Sequence, residues 1–155
     1  MQDTALLHLI ESDLAPAQQL LELLQVEAQA LGGRDMPLLE NILAHKQSLI
    51  VQLQQHGRQR SQALAMLGMS TDREGLQHLA KISPLGNELL AKGDMLSDIL
   101  ARCKQANDEN GRAIRMQQHA TANQLRILNG GEAPSLYTAR GATSKLGTIR
   151  AFSQA

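Results

Sequence analysis

The chain has 155 residues, 43% of them hydrophobic, with fifteen acidic and fifteen basic side chains and one cysteine. This length suits one domain with a real core, and the lack of an 18-residue apolar run argues against direct membrane insertion. The acidic start argues against a secretory leader, the lone Cys103 excludes an internal disulfide and fits a reducing cytoplasm, and no segment is basic enough to make nucleic acid an expected partner.

The first predicted helix covers roughly residues 3–31. Leu7, Ile10, Leu14, Ala17, Leu21, Leu24, Ala28 and Leu31 alternate in steps of three and four, which places them on one face. Pro16 removes a backbone donor and predicts a kink or break near residues 12–15. The helix carries five acids, Asp3, Glu11, Asp13, Glu22 and Glu27, and no Lys or Arg. The next segment is mildly basic, so the two are expected to pair.

Gly32-Gly33 closes the first helix, and Asp35 with Pro37 opens a second over about 35–67. Leu39, Ile42, Leu43, Leu49, Ile50, Leu53, Leu64 and Leu67 form its apolar stripe. The stretch 54–62 is polar all round and predicts a solvated part. Thr71-Asp72-Arg73-Glu74 has capping-box form and starts a short helix to about Lys81. Ser83-Pro84 predicts the start of the last helix, which Asn129-Gly130 closes. Forty-four residues at ~1.5 Å each span about 66 Å. Either that helix breaks at Gly93 or Gly111, or the molecule is elongated; the elongated shape is expected.

The three–four repeat of the last helix changes character along its length. Leu89, Leu96, Leu100 and Cys103 are apolar. Asn107, Asn110, Gln117, Thr121 and Gln124 follow in the same seam, with Ile114 and Leu128 among them. Polar seam residues set register or partner at a cost in stability. Two readings stay open: these turns project into solvent, or they form a groove half-filled for another helix. The fold class is therefore all-α, an elongated antiparallel, coiled-coil-like bundle over 1–129 with a flexible tail over 130–155.

The tail holds the chain's only aromatics, Tyr137 and Phe152. The core must be built from Leu, Ile, Met and Ala, and the aromatics stand where recognition anchors would. This favours a binding scaffold over an enzyme. Five scattered histidines form no metal-ligand spacing, and no phosphate-binding or nucleophile motif occurs, so no cofactor, catalytic residue or metal site is expected.

The order of the acidic first helix, the segment LENILAHKQSLIVQL over 39–53, Asn107-Asp108-Glu109-Asn110-Gly111 and Leu136-Tyr137-Thr138-Ala139-Arg140-Gly141 resembles the FlgN family of flagellar type III export chaperones. The resemblance covers nearly the whole chain. It implies an all-helical cytoplasmic chaperone without enzymatic activity. Such proteins bind the C-terminal helical ends of hook–filament junction proteins, prevent their premature assembly and deliver them to the export gate. Asn107, Asn110 and Gly111 match the family motif of the long helix. Together with Ile114, Leu125 and Leu128 they are the expected cargo-binding residues. Leu136, Tyr137 and Gly141 match the tail motif, and Tyr137 takes the place of a tail tyrosine implicated in docking to the export-gate membrane protein. The alternative is a structural coiled-coil protein that acts by self-assembly. The seams permit a homodimer as well as a monomer.

Overall fold

The computed structural model describes residues 2–130. Among them are four helices: α1 (Gln2–Gly33), α2 (Met36–Met66), α3 (Arg73–Ile82) and α4 (Gly86–Leu128). The all-α expectation holds. No helix among the described residues is long and apolar enough to cross a membrane.

Of the kink or break expected at Pro16, the break is not found: α1 is continuous through it. The ladder loses one donor there, but neighbours on both sides hold the helix. Its buried positions include most of the expected seam and a second row, Leu6, Asp13, Leu20 and Glu27, spaced by seven. Two of these four are acids, and both are matched from α2. Lys46 meets Glu27, while His56 and Arg60 meet Asp13. Residue numbers rise along one helix as they fall along the other, so α1 and α2 form an antiparallel hairpin. The expected pairing of the acidic with the basic segment thus becomes two centres, one buried at Glu27 and one at Asp13, whose partners His56 and Arg60 are half-buried. It also shows that the polar stretch 54–62 is only partly solvated. Ala28 is exposed, because the contact face passes through Glu27, Ala30 and Leu31 instead.

Capping largely follows the local rules. The Asp35 carboxylate accepts from the Leu38 N–H at 3.2 Å. At α3 the cap is Asp72 rather than Thr71; its carboxylate accepts from the Gly75 N–H at 3.1 Å and from the Ser70 hydroxyl at 2.6 Å. These contacts hold the Asp72 carboxyl below the usual range, the Ser70 hydroxyl contributing most. Gly75 is obligatory, since a Cβ there would lie 1.7 Å from the Ser70 carbonyl oxygen. Ser83 closes α3 instead of capping α4 from its first residue. Its hydroxyl donates to Asp3 at 2.6 Å and accepts from the Leu85 N–H at 3.1 Å, tying the starts of α1 and α4 together.

α4 runs unbroken through Gly93 and Gly111 for 43 residues. At ~1.5 Å per residue it is about 65 Å long, which makes the molecule elongated. Gly93 serves packing: a Cβ there would stand 2.7 Å from a Leu76 methyl on α3. The exposed, two-bond pair of Arg73 with Asp94 joins the same two helices.

The α1–α4 pairing has a regular register. Cys103 Sγ donates to the Ala17 carbonyl at 3.4 Å, Asn110 Nδ2 to Leu24 at 2.9 Å, and Gln117 Nε2 to Leu31 at 2.7 Å. Each pair is separated by 86 residues, so the two helices are parallel, and each contact comes one heptad after the last. At this register Gly33 is level with His119, and the turns of α4 beyond it have no α1 beside them.

Burial and desolvation push the Cys103 thiol up to about 11. The thiolate is the reactive form, so native Cys103 should label with a disulfide reagent at pH 8 roughly 100-fold more slowly than in denaturant. Rapid native labelling would show that α1 and α4 separate readily.

Candidate functional site

Three features of the body are candidates: a buried polar centre, a crevice beside it, and the projecting end of α4. The polar centre joins all three long helices. Lys46 Nζ donates to both Glu27 oxygens at 3.2 and 3.4 Å, and Asn110 Nδ2 donates to Glu27 Oε1 at 2.8 Å as well as to the Leu24 carbonyl. Lys46 and Glu27 are 3% and 4% exposed. Such a pair contributes little beyond what an apolar pair would, because both charges are desolvated. Its value lies in register, since a one-residue slip would strand a charge in the core. The second centre, lower on the hairpin, is Asp13, fully buried between His56 at 2.5 Å and Arg60.

The crevice follows from how the helices pack. α1 contacts both α2 and α4 along its length, whereas α2 and α4 scarcely touch each other. A slot of about 860 Å³ therefore opens over the Leu20–Leu24 face of α1. Ile50, Leu53 and Gln54 line it from α2, and a stripe from Leu100 to Arg115 lines it from α4.

The sequence-predicted cargo residues fall into two groups. Asn107, Asn110 and Gly111 are buried on the face of α4 turned toward α1, and Ile114 is half-buried. Asn107 and Gly111 also reach the crevice wall. Leu125 and Leu128 lie beyond the last α1 contact, 47% and 81% exposed, with Ile127 between them at 73%. Gly111 and Leu125 are about 21 Å apart at ~1.5 Å per residue, so the six residues do not form one patch. The polar half of the seam is split as well. Asn110 and Gln117 are spent on α1, and Thr121 and Gln124 face solvent. Leu136, Tyr137 and Gly141, the gate-docking candidates, lie outside the described residues, as does Phe152.

Sequence reasoning missed the crevice. On its α4 wall Lys104, Asp108, Arg112 and Arg115 follow seam residue Leu100 in steps of four, four, four and three, which turns the row off the seam onto the neighbouring stripe. The basic spacing in that stripe was the available signal. Among the described residues no group of His, Cys, Asp and Glu is placed to hold a metal ion.

The family model for the FlgN protein matches residues 1–145. A solved structure from Pseudomonas aeruginosa, of a protein provisionally assigned as flagella synthesis protein FlgN, is 46% identical. The match covers 71% of this chain and 86% of that one, with a TM-score of 0.68. No curated protein matches. A family match spanning almost the whole chain, and a related structure over most of it, establish that this chain belongs to the FlgN family.

Proposed function

We propose that this protein is a cytoplasmic flagellar export chaperone that acts by binding rather than catalysis. It holds the C-terminal helical ends of hook–filament junction proteins, keeps them from assembling early and delivers them to the type III export gate. The observation that carries this proposal is the family match over residues 1–145. The architecture supports it: a long helix with one flank uncovered and apolar last turns suits the capture of another amphipathic helix. Free junction ends pay ordering entropy on binding, which keeps the complex releasable. Tyr137, with Leu136 and Gly141, is assigned to the gate.

The test separates cargo from gate. The Tyr137→Ala protein should bind a junction-protein C-terminal segment like the parent. It should bind the cytoplasmic part of the gate protein roughly 30-fold more weakly, the usual loss for an aromatic anchor. A chain ending at Asn129 should behave likewise. If both changes leave gate binding and export intact, the tail assignment is wrong. Exposed Leu125, Ile127 and Leu128 also favour the alternative of self-assembly. Light scattering decides it: a monomer at micromolar concentration that takes up the segment excludes assembly as the function.

A further inference from the structure

We propose that the slot between α2 and α4 seats an incoming amphipathic helix whose apolar row is flanked by acidic residues. This rests on the chaperone proposal and specifies the chemistry of the segment held. Leu20, Leu24, Ile50 and Leu53 form the apolar floor. They are already buried, so the slot offers room for one row of side chains between the flanking helices rather than a bare face. From Leu100 to Arg115 the α4 wall extends about 22 Å at ~1.5 Å per residue, the length of some four helical turns.

Charge selects the occupant. The α4 wall carries Lys104, Arg112 and Arg115 against Asp108 alone, and the α2 wall contributes no charge. A helix lying along the slot would set the residues flanking its apolar row against these cations. Acidic flanks are attracted there, and basic flanks are repelled. The chain's own tail fits poorly, because Arg140, Lys145 and Arg150 outnumber Glu132. α4 therefore performs two tasks on adjacent faces. One face holds α1 through carbonyl bonds, and the next presents cations to a guest.

The test uses the full chain with methyl-labelled Leu and Ile, and two synthetic 18-residue helices with the same Leu/Ala row. One has Glu at the flanking positions, the other Lys. The Glu peptide should shift the Leu20, Ile50 and Leu53 methyls saturably, with an affinity that falls as salt rises. Arg112→Glu with Arg115→Glu should weaken it by about tenfold or more and improve the Lys peptide. Lys104→Glu, at an exposed position of the same wall, should act in the same direction. Equal binding of both peptides, no binding of the Glu peptide, or silent slot methyls would overturn the proposal. So would slot shifts that depend on protein concentration alone, which place a second copy there, or shifts on Lys145→Glu alone, which place the tail there. If the junction-protein segment binds while the slot methyls stay silent, this inference fails and the chaperone function stands. If that segment does not bind but the Glu peptide does, the slot stands and the chaperone function fails.

Discussion

Glu27→Ala should lower the stability of the helical body by about 3–5 kcal/mol, the cost of leaving a buried partner charge uncompensated. Lys46 is 3% exposed and its ammonium has both Glu27 oxygens as partners. Without the carboxylate, the ammonium must drag water into the core or lose its proton. Asn110 loses an acceptor in the same change. Lys46→Ala should cost less, because Glu27 still accepts from Asn110. The double change Glu27→Leu with Lys46→Met should recover most of the loss, since neither charge then needs a partner. Urea unfolding followed by helical circular dichroism measures all three. A Glu27→Ala loss below about 1 kcal/mol would mean that the pair is solvated and that the buried centre is not formed.

Asn110→Ala should cost about 2–3 kcal/mol, one hydrogen bond to a charged group and one to a carbonyl. In a double-mutant cycle with Glu27→Ala the losses should fall short of additivity by about 1 kcal/mol, because the two residues share a bond. Asn110 also belongs to the motif shared with the family, so its role in cargo binding needs a separate measurement. At a temperature where the variant is fully folded, it should bind a junction-protein segment with the parent's affinity. A drop in affinity without a drop in stability would show that Asn110 acts in cargo binding as well.

Legibility differed from element to element. The start of α2 was plain because Asp35 and Pro37 act within one turn, and the Asp35 cap needs no distant neighbour. The cap of α3 slipped by one residue. Thr71 and Asp72 are both good caps, and Ser70 tips the choice by bonding Asp72. Pro16 was a sound reason to expect a kink or break in α1, and the helix, packed against α2 and α4, does not break there. In the candidate site, the Asn–Gln seam was visible as a pattern and open as to purpose. A polar residue every seventh position says that a partner exists, not whether the partner is another side chain, a carbonyl or water.

The sequence by itself determined the helical class, the approximate extent of each helix, a helical body with no aromatics of its own and the complementarity of an acidic first helix with a basic second. These depend on periodicity and on contacts within a few residues. Only the tertiary structure decided that α1 and α4 run parallel with an 86-residue offset, that Asn110 and Gln117 serve α1, and that a slot with a cationic wall remains beside them. The reason is that a side chain's partner depends on which helix lies opposite and at what height. Neither quantity is a local property of the chain.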